Sequence, residues 1–264
     1  MEPLQPLLDS LNADGRPRVW SLVITVFGDS VQHRGGHIST VRLGQLLGRI
    51  GIGSGALRTA LSRLASDGWV VGRREGRASI YRLTEEGRHK FGPANSRIFA
   101  APNPQPIDLW VFDSSPMAEG LRVAGGYLRP APAKATEGGF RMVGTPLPGS
   151  ADAVWASLDA RHRQALEHLH ADLSVLVDLD LAPLDALAAR TLLIHRWRRI
   201  VLRWPELPGE FTPKALSELS FRQRVAKAYA QLSEPAESWL DCAEGDLMPM
   251  PPAAQGFHAR FKSA

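Results

Sequence analysis

The sequence predicts an α+β protein in three parts: a helix-and-hairpin unit, a small mixed unit and a mostly helical unit. Three observations predict it. Apolar residues recur at helical spacing between residues 20 and 66, and two short strand-like runs separated by a turn follow at once. The stretch "GPANSRIFAAPNPQPID" (92–108), rich in Pro, Ala and Asn, then interrupts the pattern and reads as a linker. From about Asp152 the helical spacing returns. With 264 residues the chain is long enough for two or three domains, and 44% apolar with 22% charged residues is globular rather than disordered composition.

In order along the chain, a Pro-containing lead precedes Trp20–Asp29, which reads as a first helix, although its Val and Ile would also suit a strand. Gly35-Gly36 ends it. Ser39 is placed to cap a second helix with Leu43, Leu46, Leu47 and Ile50 on one face. Gly51 to Gly53 makes a turn, and Ser54 is placed to cap the third helix. Trp69–Arg74 and Ser79–Leu83 are the two strand runs, joined by Glu75-Gly76-Arg77. Helix, helix, turn, helix and a two-stranded hairpin make a winged helix-turn-helix, assigned to residues 1–91.

After the linker, residues 105–150 read as a small α+β domain. Its strand is Ile107–Asp113, residues 117–124 form a short helix, and "GYLRP" and "FRMVGTPL" are further strands. Residues 151–264 read as a helical domain with segments from Asp152 to Leu176, Leu184 to Trp204 and Phe221 to Leu240. Pro235 is expected to kink or break the last of these, and the tail from Gly245 is expected to be extended. No internal repeat is visible.

The third helix shows what the first unit is for. In "RTALSRLASDGWV" (58–70), Leu57, Leu61 and Leu64 commit one face to a core and leave Arg58, Thr59, Ser62 and Arg63 on the other. Arginine can reach the O6/N7 edge of guanine or a phosphate, and hydroxyls can donate to or accept from either. Ser54 and Gly55 at the helix start would let a phosphate approach the positive end of the helix dipole. Arg73, Arg74 and Arg77 around the hairpin suit phosphate clamping or a narrow minor groove. Charge agrees: residues 1–91 hold thirteen Lys/Arg against eight Asp/Glu, a net +5, while the remainder is −1. The competing reading is a solvated basic helix beside an ordinary hairpin.

Composition sets further expectations. The N-terminus has no basic segment leading into a long apolar run, and no apolar run is long enough to span a bilayer, so a soluble cytoplasmic protein without membrane attachment is expected. The lone Cys242 excludes a disulfide framework or a cysteine-based zinc site within one chain. No metal, cofactor or enzymatic activity is expected: no Gly-rich phosphate loop, Ser-His-Asp set or metal-spaced histidines are visible, and His162, His168 and His170 read as ordinary positions.

"RTALSRLASDGWVVGRREGRASIYRLTEEG", "SLVITVFGDSV", "LLIHRWRRIVLRWPELPGEFTP" and "AYAQLSEPAESWLD" resemble segments of the PaaX-type repressors of phenylacetic acid degradation, in matching order along the chain. The resemblance implies a homodimer on a palindromic double-stranded operator, released by an acyl-coenzyme A effector such as phenylacetyl-coenzyme A. It also implies a ferredoxin-like middle domain that serves dimerisation. Here only "IDLWVFDSSP" resembles that domain clearly, and the region after it is shortened and rich in Pro and Gly.

Two constellations have competing readings. Asp113 stands where the related ferredoxin-like nucleases carry a metal-binding aspartate, which raises the alternative of a metal-dependent nuclease; an Asp capping a turn explains it more simply. His195, Trp197 and Arg198 can offer cations and an apolar surface to an acyl-coenzyme A. On the same helix, Leu193, Trp197, Ile200 and Trp204 form an apolar side, which makes a packed helix with a salt-bridging face the more economical reading.

Overall fold

The computed structural model describes the chain apart from residues 1–2, 14, 16, 76–77, 104, 117, 135–136, 178, 244–246 and 263–264. The lead already contains a helix, α1 (Gln5–Ala13), anchored by buried Leu7 and Leu11. α2 (Val19–Val26) comes next and widens into a π-helical turn over Phe27–Val31. The strand-like composition of α2 reflects burial on nearly every side, from Leu22 to Val26. All five residues of the π turn, Asp29 and Ser30 included, are buried. Gly35 and Gly36 end this segment with φ of 72° and 74°, a region only glycine enters freely.

A strand not expected from the sequence, β1 (His37–Ser39), leads into α3 (Thr40–Arg49). Ser39 caps α3 as expected, its hydroxyl accepting from Arg42 N at 3.2 Å. α4 (Ser54–Ser66) is the third helix of the motif, but its N-cap is Gly53, whose extended backbone starts the helix one residue early. Ser54 is therefore the first helical residue rather than the cap. β2 (Val70–Glu75) and β3 (Ala78–Leu83) pair antiparallel from Val70↔Leu83 to Glu75↔Ala78, and β1 adds to the free side of β3. Arg77, which falls between β2 and β3 in the sequence, lies outside the described residues.

α5 (Glu85–Ile98) corrects the expected linker. Capped by Thr84, it runs through Gly92 and Pro93 before ending at Ile98. The burial of Ile98 and Phe99 in the core holds this segment helical despite its breakers. The middle sheet is β4 (Trp110–Asp113), β5 (Leu121–Val123), β6 (Gly126–Pro130) and β7 (Arg141–Gly144), in the order β5-β6-β4-β7 with every pair antiparallel. The helix expected at 117–124 is instead strand β5, turned into β6 by Gly125 at φ 80°. None of the described residues between Trp110 and Gly144 is helical.

The helical segment expected up to Leu176 is two helices, α6 (Ser150–Ser157) and α7 (Ala160–Leu176). Asp159 separates them, accepting from Arg161 N and His162 N to cap α7. α8 (Pro183–Val201) has proline at its first position, where the missing N–H is no loss. α9 (Phe221–Asp241) starts with a Ser220–Gln223 capping box and continues through Pro235 without a break. The tail has no helix or strand from Leu247 to Ala254 and ends in the short α10 (Gln255–His258).

α8 is the organising element. It is buried from Ala186 to Trp197 and packs against α1, α2, α3, α5, α7 and α9. The N-terminal and C-terminal helices thus share one continuous hydrophobic core. Among the described residues no helix is long and apolar enough to cross a membrane.

Candidate nucleic-acid interface

α4 divides as its sequence predicts. Leu57, Ala60, Leu61 and Leu64 are buried, while Ser54, Gly55, Arg58, Thr59, Ser62 and Arg63 are all exposed. Arg58 makes no hydrogen bond or ion pair with the described residues. Arg63 is partly engaged: its Nε lies 3.6 Å from Asp67 Oδ2, and its guanidinium sits 5.9 Å from the Trp20 ring centroid. Thr59 donates to Gly55 O at 3.1 Å, so its hydroxyl faces outward mainly as an acceptor. A Cβ built on Gly55 would meet nothing within 4 Å, so packing inside the molecule gives no reason for a glycine there.

The hairpin beside α4 is exposed along Val71–Glu75. Arg73 and Arg74 stand on it, and Arg73 pairs with Glu75. A Cβ at Gly72 would come within 2.8 Å of the Tyr81 ring, so a side chain there would have to displace that ring. An exposed basic strand therefore runs next to an exposed face of hydroxyls and arginines.

What holds this surface in place was only partly visible in the sequence. Arg42 on α3, 2% exposed, donates to Trp239 O at 2.6 Å, Cys242 O at 2.7 Å and Met248 O at 2.9 Å. It thereby satisfies carbonyls at and beyond the C-terminal end of α9, where the helix dipole favours a cation. Arg49, also on α3, pairs with Asp185 of α8. Deeper, fully buried Arg190 donates through Nε to Asp29 Oδ2 at 3.0 Å and pairs with Glu237 Oε1 at 2.7 Å. Tyr229 OH and Arg260 Nη1 reach Asp29 Oδ1 at 2.8 and 3.2 Å. This cluster ties the π turn, α8, α9 and the tail together. Its sequence signal is charge inside apolar runs, Asp29 in "VFGDSV" and Arg190 in "LAARTLL".

The effector and metal candidates face inward. His195 is buried, with Nδ1 3.0 Å from Thr25 Oγ1 of α2. Trp197 donates to Ile98 O at 2.9 Å, and Arg198 to Ser21 Oγ at 2.7 Å. These side chains join α8 to α2 and α5, and none of them lines the cavities beside the middle sheet or the tail. Asp113 is fully buried, accepting from Ser115 N at 2.9 Å and from Arg129 Nη2 at 2.7 Å. It caps a turn and neutralises an arginine. Among the described residues no group of three His, Cys, Asp or Glu could hold a metal ion.

The buried titratable groups predict an acid-sensitive fold. Burial, reinforced by Arg198, Arg199 and Arg196, pushes the His195 imidazole down to about 3, and burial pushes His162 down to about 4. The unfolded chain takes up protons there below about pH 6.5 while the folded chain resists them, so stability should fall as pH drops from about 6.5 towards 4. Burial alone would raise Glu237, but the His33 hydrogen bond and the Arg190 charge outweigh it and hold Glu237 at about 2. Its contribution, present above about pH 4.5, is lost as pH falls towards 2. Urea unfolding between about pH 7.5 and 4.5 tests this. His195→Asn should flatten the upper part of the decline; an unchanged slope would mean that His195 protonates freely in the folded chain.

Residues 18–87 match the family described as PaaX-like protein, and residues 154–242 match the PaaX-like protein C-terminal domain. The chain belongs to the PaaX-like family. One relative is the transcriptional repressor PaaX of Escherichia coli (strain K12), 29% identical over 281 residues, covering 91% of this chain and 89% of the relative. Among solved structures, the uncharacterized protein Rv0674 from Mycobacterium tuberculosis is 16% identical with a TM-score of 0.46, over 83% of this chain and 97% of that one.

Proposed function

We propose that the chain is a winged helix-turn-helix transcriptional repressor that binds a palindromic DNA operator as a homodimer and is released by an acyl-coenzyme A effector. The observation that carries the DNA-binding part is α4: one side buried, the other an open face of Arg58, Thr59, Ser62 and Arg63. The basic β2 strand beside it supplies phosphate contacts, and the E. coli relative is itself named a repressor.

The homodimer draws support from the middle sheet. β7 is an edge strand, and Val143 on it is exposed, as are the nearby Phe140 and Leu147. An apolar open edge is a liability unless another chain covers it. Doubling the half-sites also raises affinity and specificity together. The effector follows from the family, and His195, Trp197 and Arg198, which join α8 to α2 and α5, are the residues first read as its contacts.

Footprinting of the purified protein on its own upstream region tests the proposal. Two related half-sites should be protected, with binding at least about 1,000-fold tighter than to random duplex at the same salt. Equal affinity for both duplexes would reduce the protein to a non-specific binder.

A further inference from the structure

We infer that a cavity between the middle sheet and α6 is a binding site for a neutral, ring-sized apolar group. The antiparallel register puts Phe112, Leu128 and Met142 opposite one another, so that with Trp110 they form one face of the sheet. Ala153 and Val154 of α6 lie across from that face, enclosing about 320 Å³ together with Phe211. Asp113 and Arg129 alternate onto the opposite face, so the polar pair is kept out of the cavity.

The chemistry of the occupant follows from the lining. No ionisable side chain contributes to it, so a charge buried here would find no partner. Thr145 and Ser150 are the hydroxyls available to a carbonyl or amide tether, since Ser157 Oγ already donates to Val154 O at 2.7 Å. An apolar cavity of roughly 150 Å³ holds benzene, so a single ring with its tether fits this one comfortably. The volume also lies at the small end of ligand pockets, about 300–1,000 Å³.

The walls are set before anything binds. Trp110 donates to Ile107 O at 2.8 Å and meets Phe211 edge-on, with ring centroids 4.9 Å apart. Met142 lines the cavity yet is 53% exposed, so the site opens to water there and leaves apolar surface wet until a ligand covers it. Any link from this site to DNA release rests on the repressor reading; the site itself does not.

The test uses the full chain and two probes. Phenylacetamide carries a ring and a neutral carbonyl, and phenylacetyl-coenzyme A carries the same ring on a charged body. Both should bind by calorimetry, and phenylacetamide should shift the methyl resonance of Met142 but not that of Met248, which lies in the tail outside the site. Ala153→Trp, at an exposed position over the cavity, should weaken both probes at least tenfold. Failure of phenylacetamide to bind, or to move Met142, overturns the site whether or not the variant folds. If phenylacetyl-coenzyme A binds the folded variant as well as the parent, the site falls and the effector reading stands. If phenylacetamide alone binds and is lost in the variant, the site stands and the effector reading falls.

Discussion

Replacing Asp29 by Asn should lower stability by about 3–5 kcal/mol, the range for stripping one partner from a buried ion pair. Arg190 has no exposed surface, and Asp29 is 1% exposed. Without that charge, Glu237 is the anion left to Arg190 among the described residues, and Arg34 Nε also engages it at 2.6 Å. Arg260 and the Tyr229 hydroxyl would retain a neutral acceptor where they now meet a carboxylate. Burial raises the Tyr229 phenol well above its usual value, and the Asp29 charge raises it further, so the hydroxyl is a firm donor with no tendency to ionise. Urea unfolding followed by circular dichroism measures the loss. The double replacement Asp29→Leu with Arg190→Met should recover part of it, because it removes both charges of the pair, although Arg260 and Glu237 each lose a partner. A loss below about 1 kcal/mol in Asp29→Asn would mean that water, rather than charge pairing, satisfies the cluster.

The same cluster shows where sequence reading reaches its limit. Periodicity identified α2, α3, α4, α8 and α9, because each buries a stripe or nearly a full surface against a neighbour. It could not show that Asp29 and Arg190, 161 residues apart, neutralise each other, since that pairing exists only once α8 lies against the π turn. The errors fall where local punctuation and tertiary contact disagree. Gly92 and Pro93 announce a break, but the anchoring of Ile98 in the core carries α5 past them. The Leu121–Val123 segment is too short to carry a period, and only pairing with β6 makes it a strand. At the candidate interface, exposed Arg58 and Ser62 were legible because a helix face that avoids the core announces itself. The cavity was not, because Trp110, Val154 and Phe211 come from three separate parts of the chain.

On operator DNA, Arg58→Ala should cost about 1–3 kcal/mol, roughly five- to 150-fold in affinity, and relax preference at one or two base pairs. Arg58 is exposed and unpaired among the described residues, so its removal should leave the thermal midpoint unchanged and isolate the effect on DNA. Arg63 should show a smaller loss, because it must first give up its contacts with Asp67 and Trp20. Arg73 offers the contrast. It lies on the hairpin and pairs with Glu75, so it must exchange one anion for another. Arg73→Ala should weaken specific and random duplexes alike and reduce the salt slope by about one. Titrations of both variants at several salt concentrations separate the roles. Equal losses on operator and random DNA for Arg58→Ala would make α4 a backbone clamp and move sequence reading to another element.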